Sequence, residues 1–97
     1  MKISIAMTAF NGAKYINEQL NSFASQTRLP DEVVVCDDIS SDDTFEILDN
    51  FARSAPFKMI VVRNNKNLGY TKNFEKALSL CSGDLIFLSD QDDIWYR

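Results

Sequence analysis

Three carboxylates, Asp90, Asp92 and Asp93, stand within four positions directly after the apolar run Leu85-Ile86-Phe87-Leu88. At ~5 Å and an effective dielectric near 20, each like-charge pair costs roughly 3 kcal/mol. A divalent cation removes that cost, and carboxylates are hard oxygen donors suited to Mg2+, Mn2+ or Ca2+. The pattern therefore points to a metal at the carboxyl end of a strand, where open α/β sheets place their ligands. The competing reading is a solvated acidic turn, which needs no ion. An EF-hand is excluded, because that loop needs glycine at its sixth position and the count from Asp90 reaches Trp95 there.

Three further segments carry polar chemistry. In Thr8-Ala9-Phe10-Asn11-Gly12, Phe10 follows a strand-type run. It can stack on a flat ring, worth roughly 0.5–1.5 kcal/mol beyond burial, or pack under its loop. In Asp37-Asp38-Ile39-Ser40-Ser41-Asp42-Asp43, a carboxylate at a strand end can accept from a base imide or a ribose hydroxyl. Ser40 or Ser41 is expected to cap the helix that follows, with Asp42 and Asp43 favourable in its first turn. The stretch from Asn64 to Asn73 is rich in amides and contains Lys66 and Lys72. Most of its asparagines are expected to form turns, and its helix N-terminus to be able to face an anion. Only three glycines occur, far apart, so neither a GxGxxG fingerprint nor a Walker loop is present.

The elements that must position these residues are legible from hydrophobic patterning. Strand-type runs cover Ile3 to Met7, Val33 to Cys36, Met59 to Val62, and Leu85 to Leu88. The last three are continuous apolar stretches, as in strands buried on both faces of a parallel sheet. Ile16, Leu20, Phe23 and Ala24 form one helical stripe. Thr44, Leu48, Phe51 and Ala52 form a second, and Phe74, Ala77, Leu78 and Cys81 a third, which Gly83 is expected to close in the left-handed conformation. The β-α-β-α-β-α-β order predicts an α/β fold. The expected arrangement is Rossmann-like, three-layer α/β/α with a mainly parallel sheet. Strand one is placed centrally, in the order 3-2-1-4, because that placement makes the motifs cohere. The ends of strands one, two and four then meet at one crevice.

Length and composition bound the rest. Ninety-seven residues form one domain with ordinary globular composition. The net charge of −4 and the lack of a basic cluster argue against nucleic acid as a partner. There is no histidine, which excludes Ser-His-Asp or Cys-His chemistry within the chain and any imidazole-ligated metal. Cys36 and Cys81 fit neither a zinc nor a CxxC spacing and read as buried free thiols of a reducing compartment. The segment Met1 to Ile5 is too short and polar for a signal peptide, and no apolar run has membrane-spanning length. The expected location is cytoplasmic, or the inner face of the membrane for a longer protein.

Taken together, these segments resemble a known family. Thr8-Ala9-Phe10-Asn11-Gly12, Val33 to Asp42, Asn67-Leu68-Gly69 and Asp90-Gln91-Asp92-Asp93 are similar to the amino-terminal half of family 2 glycosyltransferases with the GT-A fold. The Asp-Gln-Asp-Asp-Ile-Trp form resembles bacterial members that build surface polysaccharides, including rhamnosyltransferase-like ones. The resemblance covers essentially the whole chain. It implies that Thr8 and Phe10 line a base pocket, with Asn11 beside them. It implies that Asp37 or Asp38, with Asp37 favoured, accepts from the base, and that Asn73 or Lys72 sits where the family often has a cation. It identifies Asp90 and Asp92 as the DxD motif, with Asp90 near the ribose and Asp92 on Mn2+ or Mg2+, and Asp93 in support. The family usually has glycine after its paired aspartates, where this chain has Ile39. The implied donor is a UDP- or dTDP-linked sugar, transferred with inversion to an acceptor hydroxyl. The implied general base is an Asp or Glu beyond residue 97. The 97 residues are therefore expected to be a donor-binding portion that ends after the DxD motif, is inactive alone, and self-associates through surface left open. A non-catalytic binding or assembly module of the same fold is the alternative. A receiver-type phosphoryl-transfer domain needs an aspartate at the end of strand three, which instead reads Val61-Val62-Arg63-Asn64.

Overall fold

The computed structural model describes residues 1–90. Strands β1 (Ile3–Ala9), β2 (Glu32–Asp37), β3 (Lys58–Arg63) and β4 (Leu85–Asp90) alternate with helices α1 (Ala13–Ala24), α2 (Thr44–Ala52) and α3 (Tyr70–Leu80). All neighbouring strands pair in parallel, in the order β3-β2-β1-β4, as the sequence predicts.

The central strands β1 and β2 are covered on both faces, and the two faces differ. By contrast, β3 is half-buried and Leu85, Phe87 and Leu88 of β4 are exposed, so the apolar runs of these two outer strands do not mark strands buried on both faces. Ile5 and Met7 of β1 and Val33 and Val35 of β2 meet Ile16, Leu20 and Phe23 of α1 and Leu48 of α2 in the main core. The alternate residues Ala6 and Cys36 face Ala77 of α3, with Val62, Cys81 and Ile86 packed around them. Small residues on this second face let α3 approach closely. Side chains of a strand alternate between faces, so every residue of β1 and β2 is committed either to α1 and α2 or to α3. That parity decides which polar residues beyond the strand ends reach the site.

Strand β2 begins one residue earlier than its apolar run, at Glu32, which is 1% exposed. A buried carboxylate is costly without partners. Here Ser4 Oγ donates to Oε2 at 2.5 Å and the Ser82 backbone N–H at 2.6 Å. Ser82 Oγ adds a third bond at 3.0 Å, and the Lys2 ammonium lies 4.0 Å from Oε1. Burial raises the Glu32 carboxyl, but these donors and the lysine outweigh it and hold the group below its usual range. Glu32 thus ties β1, β2 and the turn before β4 together at the end of the sheet opposite the strands' carboxyl ends.

Two local expectations are corrected. Gly83 is not in the left-handed region, where Gly69 is the one glycine among the described residues. Its role is close approach: a Cβ there would run into Ser4 Oγ and stand 2.8 Å from Ser4 N and 3.0 Å from Lys2 O. Nor do Ser40 and Ser41 cap α2. Asp42, nearer and charged, accepts from the Thr44 backbone N–H at 3.0 Å and from Thr44 Oγ1, while Ser40 turns back to Asp37. Both thiols are free, Cys36 buried but Cys81 only half-buried, and burial raises both. No helix among the described residues is long and apolar enough to cross a membrane.

Candidate functional site

A cavity of about 500 Å3 opens at the carboxyl ends of β1 and β2, against the start of α3. Its size suits a small-molecule ligand. Thr8 and Phe10, which share a strand parity, line one wall; Thr8 is buried and Phe10 is 49% exposed. Asp38, Asn67, Gly69, Tyr70 and Asn73 line the other.

The paired aspartates part company here. Asp37 shares the parity of Val33 and Val35, is fully buried, and does not line the cavity. Its carboxylate accepts from the Ser40 backbone N–H at 3.1 Å and from Ser40 Oγ, with Arg63 Nε 4.0 Å away. Asp38 shares the parity of Cys36 and lies on the cavity. Its Oδ1 accepts from Leu68 N at 2.7 Å and Asn64 Nδ2 at 3.0 Å, and its Oδ2 from Gly69 N at 3.0 Å. Burial pushes the Asp38 carboxyl up, but the bonds from Asn64, Leu68, Gly69 and Asn67 prevail and keep it below the ordinary carboxylate range. The anion at the start of α3 is therefore supplied by the protein itself: the Leu68 and Gly69 N–H groups both point at Asp38.

The asparagines between β3 and α3 are tertiary links rather than simple turn formers. Asn67 Nδ2 donates to the Asp38 carbonyl at 2.6 Å. Asn73, 2% exposed, donates to the Cys36 carbonyl at 2.8 Å. Asn64 Nδ2 bridges Asp38 Oδ1 and Asn73 Oδ1, the latter at 2.8 Å, and Lys76 Nζ donates to Asn64 Oδ1 at 2.9 Å. Lys72 is exposed and does not line the cavity.

Asn11 staples two loops instead of lining the cavity. It is exposed, with φ 49°, a conformation asparagine tolerates better than most residues. Its backbone N–H donates to Ser40 Oγ at 2.9 Å, and its Oδ1 accepts from Ser41 N at 2.8 Å. Gly12 N to Thr44 Oγ1 at 2.8 Å and Ala13 N to Asp42 Oδ2 at 3.2 Å complete the seam. Next to it, Ile39 sits at φ 59°, the left-handed region that a β-branched residue rarely adopts.

Asp90 is the last residue of β4, and its backbone stands in register with Thr8. Asp92 and Asp93 lie outside the described residues. Among the described residues no group of three His, Cys, Asp or Glu side chains is arranged to hold a metal. Sequence reasoning missed Tyr70, Asn64 and Lys76. Tyr70 lines the cavity, 63% exposed, and packs edge-on to Phe74 at 5.0 Å. An aromatic immediately after Gly69 at a helix start is the signal that marks it. Asn64 and Lys76 carry no such signal, because the contacts that matter join residues 12 apart across a turn and a helix.

A family model described as "Glycosyl transferase family 2" matches residues 4–97. The dTDP-rhamnosyl transferase RfbG of Shigella flexneri is 38% identical over 95 residues, spanning 94% of this chain and 33% of RfbG. The crystal structure of Staphylococcus aureus TarS in complex with UDP-GlcNAc superposes with a TM-score of 0.86 at 36% identity, over 97% of this chain and 27% of that one. The mannosyltransferase PcManGT from Pyrobaculum calidifontis, solved with GDP-Man and Mn2+, gives 0.89 at 25% identity, over 99% of this chain and 29% of that one. The chain thus spans about a third or less of the length of these proteins.

Proposed function

The chain belongs to glycosyl transferase family 2, and from that premise we propose that its cavity holds the nucleotide of a diphosphate-activated sugar for transfer to an acceptor hydroxyl. The observation that carries this reading is one cavity lined by Phe10, Thr8, Asp38 and Asn73 at the carboxyl ends of the central strands. Half-exposed Phe10 supplies a stacking face. Asp38 Oδ2, with Gly69 N as its donor, keeps acceptor capacity for the N3–H of uracil or thymine. The ligand is then a UDP- or dTDP-sugar. Asp38, rather than Asp37, reads the base, because Asp37 is spent on Ser40.

The acidic run begins beside this wall, since Asp90 ends β4 in register with Thr8. Asp90 is assigned to the ribose and Asp92 to a divalent metal, Mn2+ or Mg2+. Carboxylate oxygens are hard ligands that suit such an ion, and Asp37 and Asp38 are engaged by protein donors and so are not assigned to it. When bound, the ion supplies neutralisation of charge on the leaving diphosphate. This chain's residues would bind and orient the donor: Phe10 would stack on the base and Asp38 would accept from it, with Asp90 at the ribose and Asp92 at the metal. Transfer proceeds with inversion, by in-line attack of an acceptor oxygen deprotonated by a carboxylate outside this cavity.

The test is calorimetric titration of UDP and of dTDP with Mn2+ and then with EDTA, repeated on Asp92→Ala. Metal-dependent binding that the variant loses is expected. Absence of binding by the unmodified chain in either condition refutes the reading and favours a non-catalytic module. Exposed Leu85, Phe87 and Leu88 on β4, which forms one edge of the sheet among the described residues, support self-association of the 97-residue chain. A monomer at high concentration in sedimentation refutes that part.

A further inference from the structure

We infer that Lys76 is a positioning residue for the base-reading carboxylate, acting through a buried amide relay of fixed hydrogen-bond polarity from Lys76 through Asn64 to Asp38 and Asn73. The inference rests on the nucleotide reading above and adds to it a residue that does not line the cavity.

The polarity follows from what each group can do. An ammonium donates and cannot accept, so Asn64 must present Oδ1 to Lys76 Nζ, 2.9 Å away. Its amide nitrogen is thereby aimed in the opposite direction, where it donates to both Asp38 Oδ1 and Asn73 Oδ1. At the far end the Cys36 carbonyl only accepts, so Asn73 must present Nδ2 to it and Oδ1 to Asn64. Donor-only and acceptor-only termini therefore agree on one orientation for both amides. Asn64 and Asn73 are 5% and 2% exposed, so water does not compete for these positions.

The consequence lies at Asp38. Oδ1 is filled from Asn64 and Leu68, which leaves Oδ2, bonded to Gly69, as the oxygen that offers a lone pair to a ligand. Removing the Lys76 ammonium strands Asn64 Oδ1 without its donor in a buried position. Asn64 then turns to find one and withdraws its amide from Asp38. The carboxylate keeps Leu68 N and Gly69 N but loses its side-chain donor, so Oδ1 regains a lone pair and is less firmly set, and discrimination between bases with and without an N3–H falls. Arginine is also donor-only and can occupy the same role, whereas methionine matches the stem without a donor.

The experiment compares UDP with CDP, whose cytosine N3 is an acceptor and repels Asp38, in calorimetric titrations of the unmodified chain, Lys76→Met, Lys76→Gln and Lys76→Arg. The UDP-over-CDP preference is expected to fall by about tenfold or more in Lys76→Met, the scale of one hydrogen bond to a charged group. It is expected to survive in Lys76→Arg. Side-chain amide protons of Asn64 and Asn73 are read alongside by NMR. They are expected to be slowly exchanging in the unmodified chain and Lys76→Arg and fast in Lys76→Met. Lys76→Gln, which keeps a donor, provides the comparison if Lys76→Met does not fold, and an intermediate loss of preference is expected for it. Unchanged UDP-over-CDP preference in both the Met and the Gln variants, with the unmodified chain discriminating, overturns the role of Lys76 alone. An unmodified chain that binds neither nucleotide, or both equally, overturns the nucleotide reading and this inference with it.

Discussion

Replacing Asp38 with asparagine changes shape least and hydrogen bonding most. The carboxylate accepts three bonds, from Leu68 N, Asn64 Nδ2 and Gly69 N. An asparagine placed to keep its oxygen toward Leu68 and Asn64 turns its NH2 toward the Gly69 N–H, so one charge-assisted bond is lost and two donors face each other. Loss of a bond to a charged group costs roughly 1.5–3 kcal/mol, and the stranded Gly69 N–H adds to it, offset in part because a neutral amide is easier to bury. The net expectation is a loss of about 2–4 kcal/mol, from a total that for a domain of this size is about 5–15 kcal/mol. At about 4–8 °C per kcal/mol, the thermal midpoint falls by about 8–32 °C at neutral pH. The assay is urea and thermal unfolding of both chains at pH 7 and pH 3. The folded-state pKa of Asp38 is depressed, so its contribution is complete above the unfolded aspartate value of about 3.9 and is lost as pH falls through the lower folded value. The gap between the two chains must therefore narrow at pH 3. A loss below about 1 kcal/mol, or one of equal size at both pH values, refutes the assignment of Asp38 as the ionised hub of the loop.

Glu32→Gln should lower stability by about 1–3 kcal/mol in urea unfolding, because it weakens the bonds from Ser4 and Ser82 at a buried site. With Asp38 and Asp42 also held low, the unmodified chain should keep its stability above about pH 5 and lose it progressively below about pH 4, which acid titration by circular dichroism checks. Gly83→Ala forces a Cβ to 2.8 Å from Ser4 N and should cost about 1–3 kcal/mol in urea unfolding. Ile39→Gly relieves a left-handed β-branched residue worth about 1–2 kcal/mol, against glycine's entropic cost of about 0.5–1 kcal/mol. The calorimetric midpoint should therefore hold or rise, and a fall of many degrees contradicts strain at that position. Phe10→Ala should weaken UDP binding severalfold in calorimetry while leaving the unfolding midpoint nearly unchanged, because the ring is half exposed.

How far the fold was legible follows from particular residues. The strand runs around Val33 to Val35 and Met59 to Val62, and the stripes of Ile16-Leu20-Phe23 and Thr44-Leu48-Phe51, gave element order without any contact information, and placing strand one centrally so that the polar strand ends meet gave the sheet order. The ends were less legible. Glu32 reads as loop because it is charged, and it becomes strand only because Ser4, Ser82 and Lys2 converge on it from elsewhere in the chain. Asn11, which the resemblance places beside the base pocket, also staples two loops, a role the sequence hides because its partners Ser40 and Ser41 lie 29 and 30 residues away.

Sequence by itself determined the α/β class, the alternation of strands and helices, the absence of histidine chemistry, and the placing of Thr8, Phe10 and the paired aspartates at strand ends. Those properties follow from local periodicity and composition, which every residue carries with it. Tertiary structure alone decided which aspartate faces the cavity. A strand buried on both sides has no polar and apolar alternation to mark its faces, so Asp37 and Asp38 look equivalent in the chain. Only when α1 and α2 cover one face and α3 the other does parity send Asp37 to Ser40 and Asp38 to the cavity. The amide relay behind Asp38 was equally invisible, because an asparagine in a turn and an asparagine in a buried network are the same residue until the acceptors across the fold are in place.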